Sequence, residues 1–153
     1  MNNVQQFSLD SLDEKILNEL IENPKIQLRK LAQKFGVSFV TIMNRIKRLE
    51  EKKIIKHYTS KIDYTQLGYD LHVLIDMRLS KGKIIDLEKR LSKFANIYAV
   101  YDTTGEFDAA IFARFKTTRS MDEFLKKIQT LEFVERTNTR IILNTLKEDQ
   151  IKL

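Results

Sequence analysis

Apolar residues in the first third of the chain recur every three to four positions, which is the spacing of amphipathic helices. The spacing predicts three short helices, over residues 11–22, 27–35 and 38–52. Asp10 and Ser38 can cap the first and third helices, and Asn23-Pro24 ends the first. Gly36 can take the left-handed conformation that ends the second helix. The tight turn around Gly36 gives the second and third helices a helix-turn-helix pattern.

After residue 70 the pattern changes to strands and helices in turn. Residues 71–79 (LHVLIDMRL) alternate apolar and polar side chains, as a strand with one buried face does. Five further elements are predicted, with helices over 83–94 and 120–131 and strands over 97–104, 107–115 and 133–146. The sequence SMDE at residues 120–123 is typical of a capping box that opens the last helix. The order βαββαβ is that of a ferredoxin-like sandwich, in which two helices cover one face of an antiparallel sheet.

Residues 54–63 (IIKHYTSKID) connect the two patterns and are rich in β-branched and aromatic residues. They are predicted to be extended and to form a small wing beside the three helices. A turn at residues 66–69 marks the boundary between the two patterns. We therefore predict an α+β chain with a winged helix-turn-helix domain over 1–63, a linker over 64–70 and a ferredoxin-like domain over 71–153.

The predicted sheet has a second face that no helix covers. The side chains expected on this face include His72, Leu74, Asp76, Arg78, Ala110 and Phe112. This face is too apolar to be wholly exposed to water, so we expect it to pair with itself across a two-fold axis. A homodimer also suits DNA, because two recognition helices can reach half-sites about one helical turn apart.

Composition and charge narrow the class of protein. The 153 residues carry a net charge of +6 and include no cysteine, which excludes disulfides and thiol chemistry. Residues 1–62 hold 12 Lys and Arg against 7 Asp and Glu, whereas residues 63–153 hold 15 against 14. The excess positive charge lies in the half with the helix-turn-helix pattern, which favours a nucleic-acid partner.

Neither a membrane span nor a signal peptide is expected. No apolar run approaches the roughly 18 residues that a spanning helix needs. The first ten residues (MNNVQQFSLD) lack the basic start and the apolar segment of a signal peptide. We expect a cytoplasmic protein with no membrane partner.

The third predicted helix has one apolar side and one polar side. Its apolar stripe, at the spacing i, i+4 and i+7, consists of Ile42, Ile46 and Leu49. On the opposite side, Asn44 can pair with adenine, Lys47 with guanine or phosphate, and Val40 can contact a thymine methyl in the major groove. Arg45, Arg48 and Lys30 are expected to contact phosphates. The predicted DNA-binding residues are Lys30, Ser38, Val40, Asn44, Arg45, Lys47 and Arg48.

The second candidate site is the segment TTGEFD at residues 103–108, between two predicted strands. Gly105 allows a turn with exposed backbone amides, which can receive a carboxylate. Asp108 can receive an ammonium group, so the segment offers partners to both charged ends of a free amino acid. A glycine between two strands is also an ordinary turn, and the segment alone leaves that structural role open.

Together these stretches resemble the leucine-responsive/AsnC (Lrp/AsnC, or feast/famine) family of transcription regulators. The resemblance is carried by SLDEKILNEL in the first helix, by LAQKFGVSFVTIMNRIKRLEEKKIIKHYTSKID, and by TTGEFD followed by a long last strand. It covers nearly the whole chain. Gln27 stands where members often have a capping serine, and Phe39 and Asn44 stand where many have proline and arginine.

The resemblance implies an N-terminal winged helix-turn-helix and a C-terminal ligand-sensing domain. It implies double-stranded DNA as a partner, a free amino acid as effector, and homodimers that commonly assemble to octamers. We expect no cofactor, and no metal, because the two histidines, His57 and His72, are isolated in different halves of the chain. The family's glycine-x-x-aspartate loop lies at the effector site between neighbouring dimers, and Thr137 and Thr139 match threonines near it. The expected effector-binding residues are Thr104, Gly105, Glu106, Asp108, Thr137 and Thr139.

Two other functions stay open from the sequence. Some sirohaem decarboxylases share this architecture and would use a histidine and arginines around a tetrapyrrole, and His72 and Arg78 lie on one predicted strand face. The basic third helix argues against that enzyme, which has no need to bind DNA. The chain has no GxxxxGK loop and no HExxH motif, so we expect no enzyme activity. The other alternative is a DNA-independent amino-acid sensor module.

Overall fold

The computed structural model describes residues 8–80 and 82–153, which form two compact units. One unit comprises the described residues up to Lys61 together with Glu148–Leu153, and the other is Ile62–Lys147. The helices of the first unit are α1 (Ser11–Glu22), α2 (Leu28–Phe35) and α3 (Phe39–Glu51). After a 3-10 turn at Thr65–Leu67, the second contains β1 (Leu71–Leu79), α4 (Ile84–Leu91), β2 (Ile97–Asp102), β3 (Ala109–Phe115), α5 (Thr118–Gln129) and β4 (Val134–Ile141).

The three helices of the first unit enclose a small apolar core. Asp10 caps α1, because its carboxylate accepts hydrogen bonds from the backbone nitrogens of Leu12 (3.0 Å) and Asp13 (2.9 Å). The buried side chains of this core are Ile16, Leu31, Ala32, Ile42 and Ile46. Full burial of each larger aliphatic side chain contributes about 1.5–3 kcal/mol, so this core holds the helices together.

The second unit is an antiparallel sheet with the strand order β2-β3-β1-β4. β1 and β3 are the inner strands, and β2 and β4 form the edges. Alternate residues face α4 and α5 and make the main core, in which Ile75, Met77 and Ile111 are fully buried. This is the predicted ferredoxin-like sandwich, and the predicted α+β fold class is confirmed.

Two local predictions are wrong. The capping box of α5 is formed by Thr117 and Ser120 rather than by Ser120 and Glu123, because the Thr117 hydroxyl accepts from the Ser120 backbone nitrogen (3.1 Å). The last strand ends at Ile141, because it pairs with β1 alone and that strand begins at Leu71. The structure assigns no strand within residues 54–63, the predicted wing segment, so its role as a wing stays a prediction.

The face of the sheet turned away from α4 and α5 is partly covered by its own side chains. His72 and Asp76, predicted for this face, are both buried. His72 Nε2 lies 2.6 Å from the Tyr98 hydroxyl, and Asp76 accepts a hydrogen bond of 2.7 Å from Arg140. Long side chains of the neighbouring strands therefore shield the polar groups of β1 within the single chain.

Residues 148–153 pack on α1 of the first unit. The Asn18 side chain donates to the Leu153 carbonyl oxygen (2.7 Å) and accepts from the Leu153 backbone nitrogen (2.9 Å). Lys152 forms an ion pair with Glu22, and Lys61 donates to the Glu148 carbonyl oxygen (2.7 Å). The first unit is therefore discontinuous in sequence. The division into domains over 1–63 and 71–153 stays a prediction.

None of the helices within residues 8–80 and 82–153 is long and apolar enough to cross a membrane. The predicted lack of a signal peptide concerns the first ten residues, and residues 1–7 lie outside the described ranges.

Candidate functional site

The turn between α2 and α3 sets the direction of α3. Gly36 ends α2 in the left-handed region (φ +66°), which a residue with a Cβ atom adopts only at an energetic cost. Ser38 precedes α3 as its N-cap, and its Oγ accepts a hydrogen bond of 3.0 Å from the Thr41 backbone nitrogen. Ser38 was predicted to bind DNA, and in the structure its hydroxyl serves as the helix cap.

One side of α3 is buried and the other is exposed. Ile42, Ile46 and Leu49 are buried, as their spacing predicted. Five residues on the opposite side span about 140° of the helix circumference. We call them the α3 outer surface, and they are Phe39, Val40, Met43, Asn44 and Lys47. Three predicted DNA-binding residues thus share one exposed surface, and a fourth, Lys30, is exposed on α2.

Arg45 and Arg48 turn away from this surface and toward α1. Arg48 Nη2 lies 2.5 Å from Asp13 Oδ2, and Arg45 Nη1 lies 3.1 Å from Oδ1 of the same carboxylate. Arg45 also pairs with Asp10. Asp13 is 0% exposed, so the two guanidinium groups compensate a carboxylate that has lost its contact with water.

These contacts favour the charged forms of Asp10 and Arg45. The backbone N–H of Asp13 and the Arg45 guanidinium lower the pKa of the Asp10 carboxylate. In turn, the hydrogen bond to Asp10 raises the pKa of Arg45. Arg45 and Arg48 therefore hold α3 against α1, and their predicted contact with phosphate stays a prediction.

Sequence reasoning missed two residues of the α3 outer surface. Phe39 and Met43 are 43% and 42% exposed, and they lie one helical turn apart beside Val40, which is 55% exposed. The signal was present in the sequence, because both positions lie outside the buried stripe of this helix. The outer surface is therefore more apolar than the predicted set of polar and cationic residues suggested.

The predicted effector loop, residues 103–108, joins β2 to β3. Its backbone turns at Gly105 in the positive region (φ +113°). The Thr103 nitrogen donates to the Asp108 carbonyl oxygen (3.0 Å), and the Thr103 hydroxyl donates to the Phe107 carbonyl oxygen (2.9 Å). The loop thereby closes on itself and leaves four predicted residues exposed, namely Thr104, Gly105, Glu106 and Asp108.

Asp108 fixes this loop to the end of β1. Its Oδ2 accepts a hydrogen bond of 2.7 Å from the Leu79 backbone nitrogen. Leu79 lies beyond Met77–Ala109, the last pair of the β1–β3 ladder, so the carboxylate takes the place of a strand partner. An ammonium group bound here would share the carboxylate with this backbone nitrogen.

Thr137 and Thr139 face away from the loop. Gln129 of α5 donates a hydrogen bond of 3.1 Å to the Thr137 hydroxyl, on the helical side of the sheet. Arg136, the neighbour of Thr137, points to the other side and pairs with Glu106 of the loop (3.1 Å). Within residues 82–153 no hydrogen bond joins the loop to either threonine. One chain thus brings the predicted loop residues together, but not the two threonines with them.

The two residues on which the tetrapyrrole alternative rested have partners within the second unit. His72 contacts Tyr98, and Arg78 Nε lies 3.6 Å from a carboxylate oxygen of Glu135. Among the described residues, no three His, Asp or Glu side chains are grouped so that they could hold a metal ion.

Each of the two units matches a known domain family. The AsnC-type helix-turn-helix domain matches residues 9–50, and the Lrp/AsnC ligand binding domain matches residues 72–151. An HTH-type transcriptional regulator of Pyrococcus abyssi is 38% identical over 141 residues, which cover 92% of this chain and 96% of that protein. The HTH-type transcriptional regulator FL11 of Pyrococcus furiosus is 35% identical over 140 residues, covering 92% and 93%.

Solved structures agree with this assignment. E. coli AsnC superimposes with a TM-score of 0.89 at 28% identity, covering 96% of this chain and all of that one. A Neisseria meningitidis regulator, solved as a complex with L-Met, has the same fold, with a TM-score of 0.88 at 23% identity over 95% and 96% of the chains. With a helix-turn-helix unit followed by a ligand-binding sandwich, the chain belongs to the Lrp/AsnC family of transcriptional regulators.

Proposed function

We propose that this regulator binds specific DNA sequences through the α3 outer surface. The observation that carries the proposal is that Asn44 and Lys47 are exposed on the side of α3 opposite its buried stripe, behind a capped turn. A helix held in this way can enter the major groove and place both side chains at base edges. The excess of positive charge in residues 1–62 supports the same partner.

Footprinting upstream of the protein's own gene, followed by titration of the protected duplex, tests this proposal. We expect a discrete protected segment and an affinity that falls steeply with salt. Asn44→Ala should reduce the preference for this segment over a shuffled one, because it removes the bidentate partner of adenine. Asn144→Ala, at an exposed asparagine outside α3, is the matched control. Equal binding of both duplexes by the unaltered protein would refute sequence-specific recognition.

We further propose that a free amino acid binds at the loop of residues 103–108. Gly105 exposes backbone amides suited to a carboxylate, and Asp108 supplies a negative charge for an ammonium group. The L-Met complex of the N. meningitidis regulator, which has the same fold, supports an amino acid as the class of ligand. Because Thr137 and Thr139 face the other way in one chain, their part in the site requires a second copy.

Calorimetry with a panel of amino acids tests the loop, and Asp108→Asn is the informative variant. Asparagine keeps an oxygen that can accept from the Leu79 nitrogen but removes the negative charge, so the loop should stay in place while the ammonium group loses its partner. Asp122→Asn, on the exposed side of α5, is the control. Binding by Asp108→Asn that equals that of the control would exclude Asp108 from the site.

Assembly provides the route from effector to DNA in this proposal. A homodimer that assembles to an octamer would fix the spacing of its recognition helices, and a ligand bound between dimers would favour one assembly through its higher affinity for it. Sedimentation with and without the amino acid found by calorimetry measures the shift. The same assembly and the same DNA affinity in both conditions would contradict this mechanism.

A further inference from the structure

Three of the five residues of the α3 outer surface are apolar and cannot form side-chain hydrogen bonds with DNA. Phe39, Val40 and Met43 are each more than 40% exposed, and all three lie within the first five residues of the helix. The N-terminal residues of a recognition helix are the ones that contact base edges. Apolar side chains at these positions need an apolar partner, because contact with polar base edges would leave those edges without hydrogen bonds.

The major groove presents one apolar group, the C5 methyl of thymine. Asn44 follows Val40 by one turn and suits the adenine of the same base pairs. The arginines of this helix, which would suit guanine best, are turned toward Asp13 and Asp10. Four of the five residues of the α3 outer surface are therefore suited to contact A·T pairs, and Lys47 alone is suited to contact guanine.

We infer that Phe39, Val40 and Met43 contact thymine methyl groups, and that this regulator selects half-sites rich in A·T pairs. The inference rests on the proposed binding of DNA by α3 and adds the class of sequence that α3 recognises. Asn44 and Lys47 lie beside and between the three apolar residues on the helix surface, and this mixture favours a groove with methyl groups and hydrogen-bonding edges over an apolar protein surface.

Replacement of thymine by deoxyuridine tests the methyl contacts directly, because it removes only the methyl group. Duplexes are first selected from a random pool with the full-length protein, and each thymine is then replaced in turn. We expect the unaltered protein to lose about fourfold in affinity for each contacted methyl, at two or more positions. Met43→Ala should bind the thymine duplex more weakly and should no longer distinguish thymine from deoxyuridine at one of these positions.

Two further variants make the test robust. Ile85→Ala removes an exposed aliphatic side chain of α4 and is the matched control, so its deoxyuridine pattern should equal that of the unaltered protein. Val40→Ala provides the same comparison as Met43→Ala if thermal unfolding shows that the latter does not fold.

The outcomes separate this inference from the proposed function. If the selected duplex is preferred over a shuffled one but deoxyuridine has no effect at any position, the inference is wrong and sequence-specific binding stands. Equal binding of the selected and shuffled duplexes overturns both. If Met43→Ala changes sedimentation but keeps the deoxyuridine pattern, the surface mediates contacts between copies, which also overturns the inference.

Discussion

Asp13 determines how α3 is held. Its carboxylate is fully buried at the start of α1 and is bound by guanidinium groups of Arg45 and Arg48 on α3. A buried carboxylate that loses one charged partner is destabilised strongly, because part of its charge is left without compensation away from water. The two arginines therefore act first on the stability of the DNA-binding unit.

We expect Arg48→Ala to lower the free energy of unfolding by about 2 kcal/mol, the size of a hydrogen bond to a charged group. The adjacent variant Lys47→Ala should change the free energy of unfolding by less than about 0.5 kcal/mol. The Lys47 side chain is 72% exposed, and its Nζ lies 3.9 Å from Glu51 Oε1, so this surface ion pair is weak. Urea denaturation of both variants measures the difference. Equal midpoints for the two variants would contradict a structural role for Arg48.

Salt dependence of DNA binding separates the two possible roles of Arg48. If this arginine also contacts phosphate, Arg48→Ala should reduce the slope of log affinity against log salt by about one. A variant that is less stable but keeps the full slope would restrict Arg48 to its contact with Asp13. Measurements well below the unfolding temperature keep the two effects apart.

At the scale of elements, adding a cap to α2 should stabilise the protein, and removing the cap of α5 should destabilise it. Gln27 precedes α2 with an extended backbone, and its side chain makes no capping hydrogen bond. Gln27→Ser should raise the free energy of unfolding by about 0.5–1 kcal/mol, because the serine hydroxyl can accept from the first turn. Gln33→Ser, on the exposed side of the same helix, should not stabilise. A rise of the melting temperature measures the gain, and no rise would mean that the backbone there cannot take the capping geometry.

The corrected cap of α5 is tested by removing it. Thr117→Ala should lower the free energy of unfolding by about 1 kcal/mol, because the Ser120 nitrogen loses its acceptor. Glu123→Ala should cost less than about 0.5 kcal/mol, since it breaks only an exposed ion pair with Arg119. The sequence alone assigned Glu123 to the capping box, so the reverse order of effects would favour the sequence-based prediction over the structure.

Local signals explain which elements were predictable. The cap of α1 at Asp10 and the left-handed Gly36 act within four residues, and both were predicted from the sequence. The direction of Arg48 and the contact of Asp108 with Leu79 depend on residues 35 and 29 positions away, so no local pattern could have shown them. Phe39 and Met43 are different, because helical spacing alone places them on the exposed side.

At the scale of the molecule, the first unit is completed by residues from the other end of the chain. Removal of residues 148–153 deletes both hydrogen bonds of Asn18 and the ion pair of Lys152 with Glu22. We expect lower protection of the α1 amides from hydrogen exchange, with unchanged protection in the sheet of the second unit. Asn18→Ala should show a smaller loss at the same amides. Unchanged protection of α1 in the truncated protein would show that this segment contributes nothing to the first unit.

The polypeptide passes between the two units twice, after Lys61 and again before Glu148. Regulators are often recombined by fusing the DNA-binding half of one to the sensor of another, with a single junction in the linker. A hybrid built that way from this chain would leave α1 facing a foreign C-terminal segment that lacks matching partners for Asn18 and Glu22. Successful exchange of the sensor unit therefore needs two junctions, so that residues 148–153 are kept together with the helices of the first unit.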